Sequence, residues 1–201
     1  GMFNVAKTAL ITQQKALSVT SNNIANVMGV FVPVAPFRST TLGPLSLSPV
    51  AMLYIIGGVA IAAGILDGME SGCNAKAALL TRGLAEISRL GVALGGNPMT
   101  FAGLSGMGDL VLTCTGGLSR NRSVGVELGR GRSIDDILSQ MEMVAEGVKS
   151  TRPVLDLAAA HDIELPIAAE VARVLDGGDP AESAGRLMGR AAKPEGYGIV
   201  G

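Results

Sequence analysis

Residues 49–66, PVAMLYIIGGVAIAAGIL, run for 18 positions without a single charge. As a helix, that length reaches the lower limit for crossing the hydrocarbon of a bilayer. A helix that is apolar all round has two homes, a membrane or the middle of a globular core. Gly57, Gly58 and Gly64, with several alanines, suit close packing against other helices, and no Lys/Arg cluster or Trp/Tyr belt flanks the run. The expected element is therefore a buried helix, and a membrane is not the expected partner.

Charge divides the chain at the same place. Asp67 is the first acidic residue, so all 17 carboxylates follow the run, while residues 1–66 carry only Lys7, Lys15 and Arg38. A length of 201 residues leaves room for one ordinary domain plus an appendage. Hydrophobic residues at 48% against 16% charged exclude a disordered or acidic-tail chain. A net charge of −1, four Phe, two Tyr and no Trp give phosphate backbones little to grip and bases little to stack on, so nucleic acid is not an expected partner. Cys73 and Cys114, with the lone His161, cannot make up a four-ligand zinc site. Both cysteines are expected as reduced core thiols, and His161 as a residue near the end of a helix.

The periodicities after the run are helical. Residues 74–94 carry Leu80, Leu84, Ile87, Gly91 and Leu94 on one face, with Asn74 as the expected N-cap and Gly95-Gly96 as the stop. Asn97-Pro98 supplies a cap and a first-turn proline for a short helix. Ser119 and Ser133 are further N-cap candidates, the second with Asp135 and Asp136 where carboxylates suit the helix dipole. Only ELPI, residues 164–167, alternates in the manner of a strand. The fold class expected is mainly α, a multi-helix bundle.

Residues 103–125, GLSGMGDLVLTCTGGLSRNRSVG, stand apart from ordinary core sequence. Gly103, Gly106 and Gly108 permit close backbone approach ahead of Asp109, and ten residues on Ser119, Arg120 and Asn121 bring a cation and an amide to a helix start. That pattern suits a phosphorylated, hydroxylated small molecule, because a guanidinium and helix-start N–H groups hold phosphate while carboxylate and amide hold hydroxyls. The same residues also read as a tight turn before Asp109 and a solvated basic face at Arg120 and Arg122.

A longer pattern bears on that choice. VAIAAGILDG at 59–68, NAKAALLTRGLAEISRLGVALG at 74–95, FAGLSGMGDLVLTCT at 101–115, SRNR at 119–122, VAEGV at 144–148 and LMGRAAKPE at 187–195 appear in order. Together they resemble the C-terminal, substrate-binding domain of bacterial NAD(P)-dependent glycerol-3-phosphate dehydrogenases. The resemblance implies a helical bundle of the kind found in 6-phosphogluconate dehydrogenase-type enzymes. It implies that Asp109, Thr113, Ser119, Arg120 and Asn121 line a site for glycerol 3-phosphate or dihydroxyacetone phosphate. It further implies that Arg120, Val144 and Glu146 fall where the family meets its NAD(P) cofactor.

Two family parts are missing from the sequence. The spacing G-x-G-x-x-G occurs once among the 28 glycines, at Gly196, Gly198 and Gly201, where it follows Lys193-Pro194-Glu195 and not an apolar strand, and no Walker loop occurs, so no Rossmann domain is expected and no NAD(P) is expected to bind tightly. The family's catalytic lysine and the asparagine after it fall on Ile56 and Gly57, and isoleucine cannot move a proton. No catalytic residue is assigned. The expected protein is a cytoplasmic relative, incompetent alone, that binds its phosphorylated ligand weakly and forms a dimer through apolar faces left uncovered.

Ahead of the run, residues 3–27 place Val5, Leu10, Ala16 and Leu17 at helical intervals and then read Ser21-Asn22-Asn23-Ile24-Ala25-Asn26. This stretch resembles the N-terminal helix of flagellar rod, hook and hook-associated proteins, which raises an alternative role in docking on helical partners. Pro33, Pro36, Pro44 and Pro49 break any regular element that follows. The organisation expected is a flagellar-like helix at 1–28, a linker at 29–50 and the helical domain at 51–201.

Overall fold

The computed structural model describes residues 47–141 and 145–190, with side chains from Tyr54 onward. The helix expected at 3–27, most of the linker and Val144 lie outside the described residues. All described residues belong to one compact unit, Leu42–Gly201. They are helical throughout, without a strand among them.

The apolar run becomes α1, Leu47–Gly68, and α1 is the axis of the domain. It begins four residues ahead of the boundary suggested at 51, with Pro49 in the first turn, where a helix requires no backbone N–H donor. Ile55, Ile56, Val59, Ala60, Ile61 and Ala63 are each 2% exposed or less. Around α1 pack α2 (Gly72–Ala93), α4 (Asp109–Thr115), α5 (Arg120–Gly129), α7 (Glu146–Ala160) and α8 (Pro166–Leu175). The short α3 (Pro98–Ala102), α6 (Ile134–Ser139) and α9 (Pro180–Met188) complete the layer. This surrounding layer satisfies the run in protein, and no helix among the described residues is long and apolar enough to cross a membrane.

Helix α5 lies directly on the backbone of α1. A β-carbon on Gly64 would strike the Arg122 carbonyl oxygen and sit 2.9 Å from Gly125 Cα, and one on Gly125 would strike the Ile61 carbonyl oxygen. One turn further on, Gly68 and Gly129 repeat the arrangement against Val126 and Ile65. At the same end, Asp67 accepts from Arg122 Nε at 2.8 Å and pairs with Lys76, tying the starts of α5 and α2 to the end of α1. Burial acts to raise the Asp67 pKa, but the Lys76 and Arg122 hydrogen bonds outweigh it and hold the carboxyl below its usual range.

Helix α2 departs from expectation at its start. It begins at Gly72 after Ser71, ahead of the expected Asn74 cap, and the Ser71 side chain makes no capping bond. The turn is closed instead by backbone, with Ser71 N donating to Leu66 O at 2.9 Å and Gly72 at φ +84. The early start puts Cys73 in the exposed first turn, so it is not the core thiol expected, whereas Cys114 is buried on α4. Burial pushes the Cys114 thiol up to about 12. Gly95 ends α2 region at φ +86, as the Gly-Gly stop predicts. Asn97 caps α3 by accepting from Met99 N at 2.9 Å, and Ser133 caps α6 by accepting from Asp136 N at 3.1 Å. His161 is the C-cap of α7. ELPI is no strand: Pro166 and Ile167 open α8.

The start of α8 has an unusual cap. Leu165 precedes it without a capping side chain, and Glu86 on α2 reaches across to accept from Ile167 N at 2.7 Å. Glu86 is 3% exposed, and its Oε2 has no hydrogen-bond partner among the described residues. Desolvation raises its pKa to about 7 against the lowering influence of the Ile167 N–H and Arg89.

Two outcomes follow from this packing. Gly64→Ala should destabilise the fold by about 2–3 kcal/mol in urea unfolding through overpacking. Gly117→Ala, in open space, should stay within about 0.5 kcal/mol. For Glu86, a folded pKa of about 7 above the ordinary 4.5 means that the native state binds this proton more tightly than the unfolded chain. That contribution is complete below pH 4.5 and is lost as pH rises through about 7, a change of about 3 kcal/mol. Thermal melts of Glu86→Gln should show a flatter decline between pH 5 and 8 than the unsubstituted chain.

Candidate functional site

The N-terminus of α5 is fixed by its own sequence. Ser119 adopts an extended backbone, and its Oγ accepts from Arg122 N at 3.3 Å. Arg120 and Asn121 thereby occupy the first two helical positions. Arg120 is exposed, and no carboxylate or carbonyl holds its guanidinium among the described residues. Asn121 turns inward: its Oδ1 accepts from Gly147 N at 2.9 Å in the first turn of α7.

Three helices converge there. A β-carbon on Gly147 would lie 2.8 Å from Gly57 C and 2.9 Å from Asn121 Oδ1. One on Gly57 would lie 3.1 Å from Asn121 Nδ2. Side-chain-free backbone on α1 and α7 thus lets the Asn121 amide bridge them, with amide hydrogens left over to donate. Glu146 is the first residue of α7, and its charge acts on Tyr54, whose phenol is raised above its ordinary pKa first by burial and then by that carboxylate. Tyr54 sits three residues before Gly57, on the same face of α1, and stays protonated as a donor at neutral pH. The sequence reading missed Tyr54; its i, i+3 spacing from Gly57 was the available signal.

Asp109 and Thr113 form a second pair. Gly106 packs under Phe101, where a β-carbon would strike the Phe101 carbonyl oxygen, and the π-helical turn Leu104–Gly108 delivers Asp109 to the start of α4. Thr113 Oγ1 donates to Asp109 Oδ1 at 3.3 Å. Partial burial raises the Asp109 pKa, and the Thr113 bond offsets it only in part. No hydrogen bond joins this pair to Asn121 among the described residues. Leu104, Leu112 and Leu118 in the same stretch of sequence are 87%, 64% and 95% exposed.

The start of α5 offers an exposed cation and an anchored amide, the chemistry that holds an anion, and Asp109 with Thr113 offers a carboxyl–hydroxyl pair that can orient a hydroxyl. The site offers no base at Ile56, which is 2% exposed in the core. Among the described residues no group of three or more His, Cys, Asp or Glu could hold a metal ion. Among the described residues there is no strand and no glycine-rich strand-to-helix turn, and of the positions expected to meet a dinucleotide Arg120 and Glu146 are both exposed.

An all-helical domain built around a buried central helix, with an anion-ready helix start at its edge, is the architecture of a dehydrogenase C-terminal domain. The chain belongs to the NAD-dependent glycerol-3-phosphate dehydrogenase family, whose C-terminal profile matches residues 57–186. It is 58% identical over 138 residues to a glycerol-3-phosphate dehydrogenase [NAD(P)+] of Desulfotalea psychrophila, covering 68% of this chain and 41% of that protein. It is 57% identical over 139 residues to the Geobacter sp. protein of the same name, covering 69% of this chain and 42% of that one. The crystal structure of a glycerol-3-phosphate dehydrogenase from Coxiella burnetii superimposes with a TM-score of 0.69 at 40% identity, over 72% of this chain and 45% of the other. The chain thus spans about two fifths of the length of the curated relatives it matches. A second profile, for flagella basal body rod protein, matches residues 3–29.

Asn121→Ala removes the acceptor for Gly147 N and should cost about 1–2 kcal/mol in urea unfolding. The Gly147 amide resonance should show the largest backbone shift outside α5.

Proposed function

We propose that this chain is a glycerol-3-phosphate dehydrogenase substrate domain that holds glycerol 3-phosphate or dihydroxyacetone phosphate weakly and does not carry out the hydride transfer alone. The observation that carries this reading is the unpaired Arg120 at the first position of α5, next to Asn121 locked onto Gly147. A guanidinium beside free helix-start N–H groups favours a phosphate, and the lack of an ion pair to Arg120 among the described residues leaves it available. Asn121 Nδ2, Thr113 and Asp109 then face the hydroxyl and carbonyl oxygens of a three-carbon skeleton, and Ser119 sets the helix start on which Arg120 depends.

The redox step is a different matter. The relatives are named for NAD(P)+, and Arg120, Val144 and Glu146 are the positions at which the resemblance puts contact with such a cofactor. Ile56 has no proton to give or take, and loss of a general acid–base group typically removes a factor of roughly 10² to 10⁴ in rate. Tyr54 donates a hydrogen bond but is held protonated, so it does not replace an amine base. This reading places the protein in the cytoplasm.

A second reading rests on the rod-protein match at residues 3–29. In it, the N-terminal segment docks on a helical partner and the helical domain is a passive scaffold. Deleting residues 1–28 should abolish recovery of such a partner in pull-downs, and unchanged recovery counts against this reading.

Calorimetric titration of the full chain with glycerol 3-phosphate should give a dissociation constant on the order of 1 mM, weakened about tenfold or more by Arg120→Gln, a loss in the range of a charged hydrogen bond. No saturable heat would sink the binding claim. NADH oxidation with dihydroxyacetone phosphate should stay at the level of a protein-free control, and measurable turnover would refute the claim of incompleteness.

A further inference from the structure

On the side of the domain defined by α1, α2, α8 and α9 lies an open cavity of about 180 Å³ that no part of the phosphate-binding proposal uses. Ile65, Leu79, Val171, Val174, Ala184 and Leu187 give it an apolar wall. An apolar cavity of roughly 150 Å³ is enough to take up a six-carbon ring, so this one has room for an alkyl segment of about six to eight carbons. Ligand sites of this kind pair an apolar body with a few placed polar groups.

The polar groups of its lining are Arg82, Glu170 and the buried Ser183, whose Oγ accepts from Arg186 at 2.9 Å. Arg82 donates from Nη1 to Leu187 O at 2.7 Å, which lays its guanidinium across the end of α9. Glu170, 9% exposed, accepts from Arg173 at 2.9 Å and from Arg186 Nε at 3.0 Å. Arg186 also meets Glu182 at 3.4 Å. Glu170 and Glu182 are already engaged by Arg173 and Arg186, and Arg82 has no carboxylate partner among the described residues. Of the two charged groups that line the mouth, Glu170 is engaged and Arg82 is the cation left for an anionic group. Met188, 60% exposed, completes the edge with a flexible thioether that adapts to an apolar guest.

We propose that this cavity binds a medium-chain fatty carboxylate, with the alkyl chain between α1, α2, α8 and α9 and the carboxylate on Arg82. An unbranched chain suits a trough walled by small and aliphatic side chains, and the rim charge selects an anionic head over a neutral or cationic one. The site is separate from Arg120 and Asn121 and stands whether or not those residues bind phosphate.

Octanoate titrated into the full-length chain, followed by methyl NMR, should give saturable shifts at Ile65, Leu79, Val171, Val174 and Leu187. Octanol, with the same chain and no charge, should bind about threefold more weakly, in line with a solvent-exposed ion pair. Arg82→Gln should erase that difference, and Ala184→Leu, which fills the cavity, should abolish both titrations. Thermal melting identifies any Arg82→Gln protein that has lost its fold, and the octanoate–octanol comparison on the unsubstituted chain still decides the outcome. The proposal is overturned by an absence of saturable shifts, by equal affinity for the two ligands, or by binding that survives Ala184→Leu. Shifts of the same methyls on raising protein concentration alone would show a second copy covering the cavity, and would also overturn it.

Discussion

The contact between α1 and α5 is made by backbone, and the rest of the domain is arranged around that fact. Gly64 and Gly68 on one helix meet Gly125 and Gly129 on the other, each at a place where a β-carbon would collide with a carbonyl oxygen. Helix axes in such a contact approach more closely than the usual 8–10 Å set by side chains. Their register is then fixed, because sliding by one residue would bring side chains into the seam. The close approach also explains how a run without charges is housed in protein: α1 is wrapped on its glycine face by α5 and on its aliphatic faces by α2, α7 and α8.

That register positions the candidate site. With Gly125 seated on Ile61 and Gly64, the start of α5 falls opposite Gly57, and Asn121 comes within hydrogen-bonding distance of Gly147. Asp67 reinforces the same alignment, since it grips Arg122 on α5 and Lys76 on α2 together. Arg120 is left facing outward because its neighbour Asn121 takes the inward direction. The two arginines of SRNR are thus divided by the helix: Arg122 is structural, and Arg120 is exposed to solvent.

Much of this was legible beforehand. The alternation of glycine and aliphatic residues in 49–66 pointed to a buried helix, and the caps at Asn97, Ser119 and Ser133 were readable because an N-cap is a local hydrogen bond between residues two or three apart. Elsewhere local signals were overruled. Asn74 has the chemistry of a cap, yet the chain leaving α1 turns through Ser71 N to Leu66 O and starts α2 earlier, which carries Cys73 out of the core. ELPI alternates like a strand, but Pro166 suits a first helical turn, and the cap for that turn comes from Glu86, 81 residues away. Tyr54 escaped notice because an aromatic in an apolar run reads as core, and only the placement of Glu146 beside it reveals the polar end.

What the sequence determined by itself was the helical class, the central position of the uncharged run, the family, and the absence of an amine at Ile56, because these depend on composition, periodicity and the order of motifs. Tertiary structure alone decided which of two neighbouring arginines is free, that Asn121 bridges α5 to α7, and that the buried Glu86 serves as the cap of a distant helix. Those outcomes depend on contacts between residues far apart in the chain, and the distances across such contacts are set by how closely the glycine faces of α1 and α5 come together.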